Sequence, residues 1–137
     1  MKSLRTLLRI AKRDLETLRR ALAEQIARQT QIEGDILALA RSVTDEQGRA
    51  AHDFESARLY GAFAAHAVLR RRALEAELIT VIQIDDKLRD MINDAHVEMR
   101  KFERLLELEA AREKAKREKR EAAELDEYAT LTAGRAR

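Results

Sequence analysis

Few residues in this chain have types and spacing that could do chemistry. The only imidazoles are His52, His66 and His96, and no cysteine accompanies them. A metal site needs ligands grouped at short, regular spacing, as two histidines four apart on one helix face. These three are scattered, so no metal is expected. The absence of cysteine also excludes thiol nucleophiles and disulfides, and leaves the redox compartment open. Asp85-Asp86 and Asp90-Asp94 put carboxylates at helical spacing. Paired carboxylates do acid–base work where a cleft drives their proton affinities apart. On a helix surface they are expected to be solvated. No glycine-rich loop precedes a Lys-Ser/Thr pair, so there is no phosphate cradle. No enzyme, catalytic residue or cofactor is expected.

The strongest basic run is Arg70-Arg71-Arg72. Nucleic-acid contact is its sharp reading, but Glu75 and Glu77 follow at once and no aromatic stacking platform adjoins it. Across the chain 27 Lys and Arg stand against 25 Asp and Glu, a net charge of +2. That balance gives no electrostatic case for a polyanion, and no nucleic-acid partner is expected. Leu4, Leu7, Leu8 and Ile10 beside arginines could touch a membrane surface, yet packing against a partner helix claims the same leucines. No run of apolar residues is long enough to span a bilayer, and Arg5, Arg9, Lys12 and Arg13 interrupt any signal-peptide core. The chain reads as cytoplasmic, with no integral membrane segment.

The elements that carry these residues are helices. The 137 residues include no proline and only 4 glycines, and Ala, Glu, Lys, Leu and Arg supply 85 of them. A content of those five above about half marks long helices and coiled coils. With 4% aromatics, a thin seam of side chains is expected instead of a deep core.

The first seam runs through Leu4, Leu8, Ala11, Leu15, Leu18, Leu22, Gln25, Gln29, Ile32, Ile36, Leu39 and Val43. The second runs through Tyr60, Ala64, Ala67, Arg71, Leu74, Leu78, Val81, Asp85, Leu88, Ile92, Ala95, Met99, Phe102 and Leu106. Spacings of four and three alternate throughout both, which is the heptad pattern of a left-handed coiled coil. Ser3 is read as the N-cap of the first helix. Thr44 and Gln47 have capping-box spacing, and Asp53 or Ser56 can cap the second helix.

Two seams joined by a short break predict an all-α, antiparallel two-helix coiled-coil hairpin with a longer second helix. The expected layout is one domain over 1–137: helix one about 3–50, a tip about 51–59, helix two about 60–130 and a frayed tail 131–137. Gln25, Gln29, Arg71 and Asp85 are the polar members of the seams and are expected to set the register. Gln25 and Gln29 are placed near Arg71, and Asp85 near Arg19 and Arg20. Beyond Leu106 the second helix outruns its partner, so residues from about 107 project alone. Gly48 and Gly61 are expected to flank the reversal. A heptad seam also admits a second copy of itself, so a homodimer is an open reading.

Several segments are not demanded by the heptad. The opening Met1-Lys2-Ser3 with Thr6-Leu7, then Tyr60-Gly61-Ala62-Phe63 with Arg70-Arg71 and Leu74, Lys101-Phe102-Glu103-Arg104-Leu105, and Glu124-Leu125-Asp126-Glu127-Tyr128-Ala129 belong here. With these, the chain resembles the FliJ family of the bacterial flagellar type III export apparatus, in its alphaproteobacterial form. The resemblance implies a stalk-like protein that binds the hexameric flagellar export ATPase and the cytoplasmic linker of the export gate, and escorts export chaperones. It implies a cytoplasmic location, peripheral at the inner membrane. By the same resemblance, Tyr60 and Phe63, with Phe54, would face the export gate at the tip. Leu4, Leu7, Leu125, Asp126 and Tyr128 would face the ATPase ring. Two other readings stand beside it: a generic coiled-coil scaffold or dimerisation module, and the equivalent stalk of a virulence type III secretion system.

Overall fold

The computed structural model describes residues 2–135. They form two helices, α1 (Lys2–His52) and α2 (Phe54–Arg135), with no strand among the described residues. The local reason is the composition: strong helix formers throughout and no proline to remove a backbone donor. The fold is an antiparallel two-helix hairpin with a longer second helix.

A single non-helical residue, Asp53, separates the helices. Its N–H donates to the Arg49 carbonyl at 2.9 Å, and its carbonyl accepts from the Ala57 N–H at 3.0 Å. Its carboxylate caps α2: Oδ1 accepts the Glu55 N–H at 3.2 Å and Oδ2 accepts the Ser56 hydroxyl at 2.9 Å. Of the two candidate caps, Asp53 therefore holds the position and Ser56 supports it. The reversal is tighter than the expected tip at 51–59, because one side-chain cap supplies what a longer loop would otherwise provide.

Other expected boundary signals are helical interior. Thr44 is inside α1, where its hydroxyl donates to the Ala40 carbonyl at 3.1 Å, so it caps nothing. Ser3 is the second residue of α1 and not its N-cap. Gly48 and Gly61 are helical, and no described glycine has positive φ. The turn does not use their freedom. The segment expected to fray from 131 is helical through Arg135, and residues 136 and 137 lie outside the described residues.

The chain divides into two compact units, one of residues 15–94 and the other of residues 1–14 with 95–137. In the first unit, Leu15, Ile32, Ala67, Leu74 and Val81 are buried. Ile32, Leu74 and Val81 form its core cluster, packed by Ile36, Leu39 and Leu78. In the second unit Ala11 is buried, while Leu4, Leu8, Ala95, Met99, Phe102 and Leu106 are half-buried. Every one of these residues is a seam position. No large side chain among the described residues is fully enclosed, as a two-helix seam requires.

Candidate partner-binding surfaces

The polar seam positions behave differently from their apolar neighbours. Arg71 swings out of the seam, and its Nε donates to Glu75 on the same helix at 2.9 Å. Gln29 likewise turns to its own helix, donating to Glu33 at 3.1 Å, and Arg20 lies 3.9 Å from Glu16. The expected cross-helix pairs of Gln29 with Arg71 and of Asp85 with Arg20 therefore do not form. Long side chains reach water by lying along the helix, where an i+4 partner is already in range.

Asp85 is too short to escape. It is 5% exposed, against the expectation of a solvated carboxylate, and its Oδ1 has no hydrogen-bond partner. The buried Oε1 of Gln25 also lacks one. Register relates the two: Ile32 packs among Leu74, Leu78 and Val81. Moving one heptad along both helices brings Gln25 to the layer of Val81, Asp85 and Leu88. Gln25 therefore faces Asp85 and not Arg71, and the two form one buried polar layer.

The cross-helix ion pair that the structure does show is Arg28–Glu77. Both residues immediately precede a seam position, Gln29 and Leu78, which are the flanks that meet in antiparallel coils. The heptad register carries this signal one residue before each seam position, with opposite charges at 28 and 77. The pair is partly exposed and contributes on the order of 0.2–1 kcal/mol.

Near the reversal, the aromatic residues occupy three environments. Phe54, the first residue of α2, is 83% exposed. Tyr60 and Phe63 are half-buried. Tyr60 lines an open groove of about 380 Å³ with Ile36, Leu39, Val43, Ala64 and Ala67. The groove exists because α2 supplies alanines opposite the branched side chains of α1. Leu59, Val68 and Leu69 add exposed apolar surface nearby. Phe54 is thus the aromatic with most free surface.

In the unit built from the N-terminal segment and the far part of α2, Leu4 is half-buried in a groove with Leu105, Leu108 and Arg112. Leu7 is 43% exposed and borders a cleft with Ile10, Ala11, Ala95 and Phe102. The last half-buried residue of α2 is Glu109, and all residues from Ala110 to Arg135 are exposed. Leu125, Asp126 and Tyr128 fall in that stretch, with Leu125 at 68% and Tyr128 at 70% exposure. The structure therefore does not bring these three together with Leu4 and Leu7.

Among the described residues no three His, Cys, Asp or Glu side chains are grouped to hold a metal ion. No helix among the described residues is long and apolar enough to cross a membrane. What the described residues present is exposed apolar surface near the reversal, Phe54 and Leu59 among it, and a helix exposed from Ala110 to Arg135.

The family model of the flagellar FliJ protein matches residues 1–137, the whole length. The chain belongs to the FliJ family. FliJ proteins are structural components of flagellar type III protein export. No curated protein and no solved structure matches this chain.

Proposed function

We propose that this FliJ chain is a non-enzymatic stalk and adaptor. It links the hexameric flagellar export ATPase to the cytoplasmic linker of the export gate, escorts export chaperones, and is cytoplasmic and peripheral at the inner membrane. Family membership supports the export role. The observation that carries the rest is the uncovered end of α2, whose apolar residues Leu125, Tyr128 and Leu131 are exposed. Exposed leucine and tyrosine on a helix without a neighbour suit insertion among other subunits, where aromatic and aliphatic anchors supply most of the binding energy. Leu4 and Leu7, at the start of α1, add a separate contact facing the ATPase.

At the reversal, Phe54 supplies the gate-facing anchor, with Phe63 and Tyr60 beside it. The mechanism is steric and electrostatic, with no covalent step. Gln25 and Asp85 have an internal task in this reading, while Gln29 and Arg71 pair along their own helices. A polar layer is least costly only when opposed by its own polar partner, which fixes how the two helices slide.

The test is an end-specific dissociation of binding. Leu125→Ala with Tyr128→Ala is expected to weaken ATPase binding and leave gate-linker binding intact. Phe54→Ala with Phe63→Ala is expected to do the reverse. Circular dichroism should show unchanged helicity for both, and loss of both partners from either variant would defeat the assignment.

A further inference from the structure

The exposed part of α2 carries a second heptad stripe of which the hairpin uses only the edge of Leu108, in the groove with Leu4. Leu108, Ala111, Ala115, Glu118, Ala122, Leu125, Ala129 and Thr132 are spaced alternately by three and four. The stripe lies on the side of α2 away from the seam that faces α1, whose last apolar member is Leu106. All of its members are exposed, and only Glu118 is charged although the surrounding sequence is crowded with charges.

The charges of this segment are also sorted along the helix. Residues 112–120 hold Arg112, Lys114, Lys116, Arg117, Lys119 and Arg120 against Glu113 and Glu118. Residues 121–127 hold Glu121, Glu124, Asp126 and Glu127 with no basic residue. A basic block followed by an acidic block is complementary to its own reverse.

We propose that this segment pairs with the same segment of a second copy, antiparallel, about a two-fold axis near Arg120. In that arrangement Leu108 meets Thr132, Ala111 meets Ala129, Ala115 meets Leu125, and Glu118 meets Ala122. Leu125 and Glu118 each face an alanine. On the flanks Lys114 faces Glu121, each one residue before a stripe position as Arg28 and Glu77 are within the hairpin, and Arg112 faces Asp126 on the opposite flank, each one residue after a stripe position. A parallel, in-register pair would instead set Glu118 against Glu118 and like blocks against like, which repels. The proposal does not depend on the stalk reading, since it concerns the chain by itself.

The experiment is analytical ultracentrifugation of the full chain over a range of concentrations. A monomer–dimer equilibrium is expected, with a dissociation constant that rises about tenfold between low and high salt as the flanking pairs are screened. Arg112→Glu with Lys114→Glu, and separately Glu121→Lys with Asp126→Lys, should each be monomeric, and mixing the two should restore a dimer. The chain has no cysteine, so Ala111→Cys with Ala129→Cys reads the orientation. Oxidation should give a covalent dimer from the double variant and none from Ala111→Cys alone. A monomer at every concentration in low salt would overturn the proposal. So would a dimer indifferent to charge reversal, or cross-linking by Ala111→Cys alone.

Discussion

Replacing Asp85 with leucine should make this protein more stable. The carboxylate is 5% exposed and its Oδ1 has no partner. A buried polar group without a partner costs about 1–3 kcal/mol, and more when charged. Leucine at a buried seam position contributes about 1.5–3 kcal/mol relative to an exposed one. Part of that is already gained by the aspartate methylene, and the layer must accommodate a larger side chain. The expected net effect of Asp85→Leu is a stabilisation of about 2–4 kcal/mol, in the range seen when buried ionic groups are replaced by apolar ones.

Thermal unfolding followed by circular dichroism at 222 nm reads the change directly. At about 3 °C per kcal/mol for a chain of this size, the midpoint should rise by about 6–12 °C. Asp85→Asn should fall between the two, since its amide can donate to the Gln25 oxygen while no charge is buried. The order Leu above Asn above Asp is the signature of an uncompensated carboxylate. If Asp85 were held by a cation in solution, removing it would strand that partner, and both variants would lose about 3–5 kcal/mol. That outcome would refute the register that places Gln25 opposite Asp85.

Other perturbations follow from the helix interiors and the cap. Gly34, Gly48 and Gly61 are helical, with nothing within 4 Å of an added Cβ, so each Gly→Ala variant should gain about 0.5–1 kcal/mol in urea unfolding. A loss at Gly48 or Gly61 would mean that the reversal needs their flexibility. Asp53→Ala should cost about 1 kcal/mol by the same assay, because the Glu55 N–H and Ser56 hydroxyl lose their acceptor. A double-mutant cycle on Arg28→Ala and Glu77→Ala should give a coupling of about 0.2–1 kcal/mol that fades in high salt. Coupling absent at low salt would count against the register.

Most of the fold was legible because one physical rule governs nearly every residue. Leu15, Ile32, Leu74 and Val81 are buried where the alternation of four and three puts them, and the excess length of the second seam shows in the exposed stretch after Glu109. The reversal was less legible, since glycine, threonine and serine offered competing stop signals. Asp53 won by side-chain geometry that sequence only names as one of two options, while Thr44 satisfied itself on the Ala40 carbonyl.

The polar seam failed for a different reason. Arg71 and Gln29 have long side chains with acidic residues four positions on, so local pairing competed with the cross-helix partner and prevailed. Asp85 had no such exit and stayed in the seam. At the candidate surfaces, spacing located the aromatics but not their exposure. Phe54 begins a helix and turns to solvent, whereas Phe63 lies near enough to the seam to be half covered.

The account rests on the uncovered end of α2 serving as the contact to the export ATPase. Co-purification of the full chain with the hexameric flagellar export ATPase, alongside a chain ending at Glu109, tests this most directly. The full chain should bind and raise ATP hydrolysis, and the shortened chain should keep the helical signal of its remaining residues while losing both effects. Equal binding and stimulation by the two chains, or none by the full chain, would contradict the stalk reading.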